Sequence, residues 1–280
     1  MNDRAPLAGQ TAIVTGAGRG QGRAHAVGLA ADGADIVALD IGHDVGSVPY
    51  ELSTGEDLAE TVRQVEALGR ACMPITCDVR DSVAVAAAVA AADERFGKVD
   101  ITIANAGIAS YGTVAELTDE QWRDVIDTNL TGVFNILRAT VPAMVDRGYG
   151  RLVATASMAA RGGTRNAAHY VAAKWGVIGL AKSLALEVAA SGVTVNVICP
   201  ANVNTRMINN ETMYRLFRPD LAEPRREDVL QGFTDFHQIP VPWVEPEEIA
   251  GVVRFMVSPA AAHITGSVFD VACGNTALIP

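Results

Sequence analysis

Cysteine is scarce in this chain: four in 280 residues, Cys72, Cys77, Cys199 and Cys273. None forms a Cys-x-x-Cys pair and none stands beside a histidine at metal-ligand spacing, so no metal site is expected. Nothing nearby would activate a thiolate. The four read as small buried hydrophobes of a reducing compartment. Positive charge is also in short supply, with 22 Lys and Arg against 32 Asp and Glu, a net −10. Nucleic acid and anionic membrane surfaces are held by clustered Lys and Arg, so neither is an expected partner. No stretch approaches the ~18 uninterrupted apolar residues of a membrane span. The opening MNDRAPLAGQTAIV is polar at its start and has only a short apolar run, unlike an export signal; a cytoplasmic location is expected. Internal repeats and linker-like shifts in composition are missing too, which predicts one domain over 1–280. At 49% apolar, the chain has enough to bury a large core.

What is present is an alternation of short β-rich runs with longer helical ones. Strands are predicted at Thr11–Thr15, Ala34–Asp40, Ala71–Cys77, Val99–Ala104, Gly150–Ala156, Val193–Cys199 and Ser267–Val271. Between them helices are predicted at Gly20–Asp32, Glu56–Leu68, Ser82–Phe96, Asp119–Arg147, Ala168–Ala190 and Pro246–Val257. In Glu56–Leu68 the apolar positions Leu58, Val62, Val65 and Leu68 recur at helical spacing. The runs AIV, DIVAL, ITIA and VTVNVI are nearly all apolar, as strands covered on both faces must be. The pattern predicts an α/β, doubly wound Rossmann fold: a seven-stranded parallel sheet with helices on both faces. Two irregular segments follow strand C-termini, an insert at 41–55 and a substrate lid at 201–245, and loops of that length tend to be functional or disordered.

The first strand runs into Thr15-Gly16-Ala17-Gly18-Arg19-Gly20-Gln21-Gly22, and a helix follows. Glycines permit the tight turn and the approach of a pyrophosphate, which the helix N-terminus favours. The second strand ends at Asp40, 18 residues after Gly22. A carboxylate there accepts from the adenosine ribose hydroxyls and repels a 2′-phosphate, so the cofactor expected is NAD rather than NADP. Arg19 opposes this weakly, as a possible partner for a 2′-phosphate. Gly16, Arg19, Gly20, Gln21, Gly22, Asp40 and Ile41 form the expected adenosine and phosphate site. Asp78 and Val79 end the third strand. Asp78 either accepts from the adenine amino group, with the Val79 amide donating to the ring, or caps the next helix. Asn105, Ala106 and Gly107 end the fourth strand, where small residues would let the backbone lie against a cofactor.

Tyr170 and Lys174 are four apart and share a helix face. Ser157 lies just beyond the fifth strand, and Asn129 lies in a long helix. Oxidising a secondary alcohol requires loss of its hydroxyl proton, and a free tyrosine with a pKa of about 10 is a poor base. A neighbouring ammonium lowers that pKa. Lys174 is the expected source of that charge and a holder of the nicotinamide ribose. Ser157 would donate to the substrate oxygen, and Asn129 would anchor a water relaying the proton from Lys174. A non-catalytic dinucleotide sensor on the same fold would be expected to have lost the Tyr or the Lys, and both are here.

These residues together resemble the short-chain dehydrogenase/reductase family. The matches are Thr15-Gly16-x-x-x-Gly20-x-Gly22, Asn105-Ala106-Gly107, Asn129, Ser157, Tyr170-x-x-x-Lys174 and Cys199-Pro200, in family order along the chain. Gln21, Ala104 and Ala201 depart from the pattern, but none is a reacting group. The resemblance implies an Asn–Ser–Tyr–Lys tetrad, cofactor contacts at Pro200, Val203 and Thr205, and a homotetramer packed through its two long helices. A narrower resemblance is to the actinobacterial mycofactocin-associated, carveol dehydrogenase-like subgroup. It rests on Gly20–His25, the insert, Met213–Leu221 and Pro240–Glu247. It implies NAD that does not exchange, reoxidised in place by the redox peptide mycofactocin, with the insert as a flap over the adenosine end.

Met207, Met213, Tyr214 and Phe217, with Ser157, form the expected substrate pocket, apolar and suited to an alicyclic or terpenoid alcohol. The competing reading is a lid helix packed on its own core. Trp243 serves equally well as a packing anchor, and His169 is expected to be structural.

Overall fold

The apolar runs become strands because both of their faces are covered. The computed structural model describes residues 5–278; the polar opening Met1–Arg4 lies outside them. β1 (Thr11–Thr15) leads to α1 (Gly20–Ala31), and β2 (Asp35–Asp40) leads through the insert to α2 (Gly55–Ala67). β3 (Cys72–Thr76), α3 (Ser82–Phe96) and β4 (Ile101–Ala104) complete the first half. The second half runs α4 (Asp119–Ile126), α5 (Gly132–Arg147), β5 (Gly150–Thr155), α6 (Ala168–Val188) and β6 (Val193–Pro200). The lid carries α7 (Glu211–Phe217) and α8 (Arg226–Asp235), and α9 (Pro246–Val257) and β7 (Val268–Val271) close the fold.

The seven strands are parallel, in the order β3-β2-β1-β4-β5-β6-β7. The doubly wound sheet is as the alternation predicts. The order reverses between β1 and β4, and a crevice opens there at the strand C-termini. One core packs α3, α5 and α6 against the sheet through residues such as Val89, Ile136 and Val177. The other packs α1, α2 and α9 through Leu29, Leu58 and Ile249. Pro74 falls in β3, an edge strand, where its missing N–H breaks no interior ladder.

The structure corrects two expectations. The helix expected over Asp119–Arg147 is interrupted by a π-helical turn, Asp127–Thr131, between α4 and α5. Residues 201–245 are not irregular throughout: α7 and α8 span only 7 and 10 residues. That is too short for apolar periodicity to stand out. The cysteines are free, and three are buried. Burial pushes Cys77 up to about 11 and Cys199 up to about 12, so both remain thiols. Among the described residues no helix is long and apolar enough to cross a membrane.

An amide side chain interrupts the apolar run of β6. Buried Asn196 donates to the Ile264 carbonyl at 2.7 Å and accepts from the Ser267 amide at 3.1 Å, fixing the approach to β7. Asn196→Val would leave both backbone groups unpaired. A loss of about 2–3 kcal/mol is expected, read as a lower urea midpoint at unchanged slope; an unchanged midpoint would refute this role.

Candidate active site

The crevice at the switch point is a cleft of about 420 Å³. The turn between β1 and α1 forms its floor. A Cβ on Gly22 would lie 1.8 Å from the Gly16 carbonyl oxygen, and Gly20 sits at φ +53°, so the turn demands glycine at both positions. Arg23 donates to the Gly18 carbonyl at 2.5 Å and Thr61 to the Ala17 carbonyl at 2.8 Å. The start of α1 lines the cleft with no side-chain cap. Its free amides and the helix dipole suit a phosphate.

Asp40 is buried beside this turn. One carboxylate oxygen accepts from the Gly18 amide at 2.7 Å, and the other from the Ser53 hydroxyl of the insert. An ionised carboxylate has about four acceptor sites, so acceptor capacity remains for ribose hydroxyls. The Arg19 guanidinium donates to the carbonyls of Leu52, at 3.1 Å, and Glu51. Arg19, the weak argument for a 2′-phosphate, holds the insert instead. Ile41, Asp78 and Val79 line the same end. Asp78 is not the helix cap, since Asp81 caps α3 by accepting from Val83 and Ala84. Burial pushes Asp78 up, but its bonds from Arg80 outweigh this and keep it below its ordinary value.

At the other end, the run leaving β4 is fixed by side chains from three elements. Thr15 accepts from the Asn105 and Ala106 amides at 2.9 and 3.0 Å. Asn129, in the π turn, accepts from the Ile108 amide and donates to the Ile108 carbonyl, both at 2.8 Å. Tyr50, from the insert, accepts from the Ala109 amide at 3.0 Å. The Asn129 side chain is thus a clamp on Ile108. A Cβ on Gly107 would lie 2.9 Å from Asn129 Oδ1 and 3.3 Å from Lys174 Nζ. Gly107 is the small residue that lets these two groups approach the cleft.

Lys174 is buried and donates to the Thr155 carbonyl at 2.8 Å, with its Nζ 5.7 Å from the centre of the Tyr170 ring. Burial lowers Lys174 to about 8. Burial also pushes Tyr170 up, offset in part by the Ser157 hydroxyl beside it. Desolvation is the largest cause for both groups, so the phenol rises and the ammonium falls. Ser157 caps the short turn Met158–Arg161 by accepting from the Ala159 amide at 3.2 Å.

In the lid, Thr205 and Met207 line the cleft, Pro200 ends β6, and Val203 is buried in a bridge to Val244. Met213, Tyr214 and Phe217 instead pack with Trp243 on Ile208, Val229 and Phe233. Phe217 meets Phe233 edge-on at 4.5 Å. The competing reading of the lid describes these three residues; among the expected pocket residues of this segment, Met207 faces the cleft. His169 pairs with buried Ser110 at 2.8 Å, a structural contact. Ser53, Tyr50, Thr61 and Arg23 were not foreseen; the first two lie in an insert without periodicity, and no local motif marks them.

Residues 10–214 match the family model described as short chain dehydrogenase. This chain belongs to that family. Over 275 residues the dehydrogenase is 44% identical to a (-)-trans-carveol dehydrogenase of Rhodococcus erythropolis, a match covering 97% of this chain and 99% of that protein. It is also similar to a crystal structure of carveol dehydrogenase from Mycobacterium avium in complex with NAD, with TM-score 0.95, 41% identity and coverage of 97% and 99%. A short chain dehydrogenase from Mycobacterium paratuberculosis bound to NAD superimposes with TM-score 0.88 at 34% identity, covering 97% of this chain and 99% of that one.

Asp40 ties the glycine turn to the insert, which gives the dehydrogenase a structural test that needs no substrate. Asp40→Ala is expected to free the insert and expose Tyr50 to chymotrypsin, with cleavage at 41–54 at least tenfold faster than in the wild type, an order-of-magnitude expectation for about 1.4 kcal/mol of lost local stability. Equal cleavage rates would show that Asp40 does not hold the insert.

Proposed function

We propose that this dehydrogenase moves hydride between NAD and the carbinol carbon of a secondary, alicyclic or terpenoid alcohol, interconverting it with the ketone. The cofactor is NAD. The observation that carries the reading is one cleft with Asp40 and the glycine turn at one end and Gly107, backed by Lys174 and Asn129, at the other. Gly16, Gly20, Gln21 and Gly22 would hold the diphosphate, Asp40 the adenosine ribose, and Asp78 and Val79 the adenine. Asn105, Ala106, Gly107, Pro200, Val203 and Thr205 would flank the nicotinamide half. Bound NAD supplies the hydride acceptor.

The chain's own groups manage the proton. Ser157 donates to the substrate oxygen, and Tyr170 accepts the hydroxyl proton during oxidation and returns it during reduction. The Lys174 ammonium, held by the Thr155 carbonyl, favours the phenolate at the moment it forms. Since burial sets Tyr170 above its ordinary value, oxidation is expected to accelerate as pH rises into the alkaline range. Reduction, which needs the phenol protonated, slows over the same range. Tyr170→Phe is expected to abolish turnover, a loss of at least about 10³-fold, while leaving the circular dichroism unchanged. Lys174→Met removes a positive charge and should move the alkaline limb of kcat/KM to higher pH. Full activity in Tyr170→Phe would end the catalytic assignment.

The reading extends to NAD that does not exchange, with mycofactocin as the electron acceptor. Its support is the number of ties across the adenosine end: Ser53 to Asp40, Arg19 to Leu52, Ser47 to Asp124, and Glu51 to Arg206 of the lid. The protein purified without added NAD and then denatured should release close to one NAD per chain. Empty sites that fill readily would establish an ordinary exchanging enzyme. Trp122, Phe134 and Trp175 are exposed on α4, α5 and α6; apolar faces of that kind support the homotetramer.

A further inference from the structure

The insert leaves the sheet at Asp40, at the adenosine end, yet Tyr50 reaches the opposite end of the cleft. Its hydroxyl accepts from the Ala109 amide, two residues beyond Gly107. Its ring lines the cleft with Ile108 and Met207. Tyr50 and Tyr170 pack against the same small cluster, Val45, Leu52, Ile108 and Val125. Tyr111, on the loop that follows, is close enough to both phenols that each hinders its ionisation.

The insert does not need Tyr50 as an anchor. Ser53 and Ser47 already fasten it to Asp40 and to Asp124, and Arg19 of the glycine turn donates to its Leu52 carbonyl. An apolar side chain would fill the same half-buried space without a polar atom to satisfy. The phenol also keeps something in reserve. Among the described residues its oxygen accepts one hydrogen bond, and its own proton has no acceptor. A half-buried donor left in this state, on the wall of the cleft beside the catalytic tyrosine, is suited to a polar atom of a ligand.

We propose that Tyr50 is a specificity-determining residue of this dehydrogenase. The insert carries it across the cofactor cleft to form one wall of the substrate end beside Tyr170, where its flat ring face selects cyclic over short acyclic secondary alcohols. This rests on the dehydrogenase reading above. The substrate site then draws on a segment that departs from the adenosine end, and it is complete only while that segment is docked.

The test is the ratio of kcat/KM for carveol to that for 2-butanol, with NAD saturating, in four proteins. Tyr50→Leu keeps apolar bulk but loses the flat face. It should lower the ratio by about tenfold or more, the scale on which apolar pocket contacts discriminate. Tyr50→Phe keeps the ring; it should hold the ratio within about threefold while lowering kcat for both alcohols, because the Ala109 amide loses its acceptor. Ser53→Ala loosens the insert at its other end and should raise the KM for NAD; saturating NAD redocks the insert, so the ratio should hold. Equal losses on both alcohols in Tyr50→Leu, or a change confined to the KM for NAD, would overturn the proposal and make Tyr50 an anchor only. Failure of the wild type to turn over either alcohol would overturn the underlying dehydrogenase reading instead, and this proposal with it.

Discussion

One hydroxyl oxygen, that of Thr15, takes two backbone amides, Asn105 and Ala106, where β1 and β4 diverge. The Asn105 side chain returns a bond to the Thr15 carbonyl at 3.0 Å. The two strand exits are thereby held so close that a Cβ on Gly16 would lie 2.9 Å from the Ala106 Cα. From this the rest of the cleft follows. α1 must begin against the turn, which requires glycine at position 22, and the β4 exit must continue as a flat run of small residues. Asn129 carries the pinning one residue further. An extra residue in the helical turn, the π bulge, adjusts the approach of its side chain to both polar groups of Ile108. Such bulges recur at functional sites.

The electrostatics of the catalytic end follow from burial more than from pairing. Tyr170 and Lys174 are each driven toward their neutral forms, the phenol upward and the ammonium down to about 8. Lys174 retains a strong acceptor in the Thr155 carbonyl, so at neutral pH it is still mostly charged. Lys174 thus lies nearer to working pH than a free lysine, while Tyr170 lies further from it and rests as the protonated phenol, the form that reduction uses. Cys199, close enough to interact with both, is raised to about 12 by the same burial and carries no charge to disturb them.

Much of the fold was legible because its signals are local and redundant. Two-sided strands are apolar throughout, and the glycine turn has a fixed place between β1 and α1. Tyr170 and Lys174 share a face by helical spacing alone. The errors lie where long-range packing decides. Asp78 stands open in sequence between the adenine and the cap of the next helix, and the cap is Asp81. The π turn leaves no mark in the residues of Asp119–Arg147, since it answers to Ile108 some twenty residues earlier. Met213, Tyr214 and Phe217 were assigned to a pocket because apolar residues after β6 can face inward either way. Phe233, which claims them, belongs to a helix that the sequence pattern did not reveal.

The two covers of the cleft are physically unlike. The lid has a small apolar core of its own, built on Phe233, Val229 and Ile208. The insert has no regular structure and shelters only four buried apolar residues, two of which, Ile108 and Val125, belong to the body of the fold. Most of what orders it is polar: Ser53 on Asp40, Arg19 on its backbone, Ser47 on Asp124. Closing a loop of this length costs little more than closing a shorter one, so these ties decide whether it is ordered. They also run through residues that line the cleft. Any ligand that engages Asp40 and the β4 exit together therefore favours the docked insert, and by linkage the docked insert favours that ligand to the same degree. Cofactor affinity and the shape of the substrate end are, on this geometry, two readings of one equilibrium.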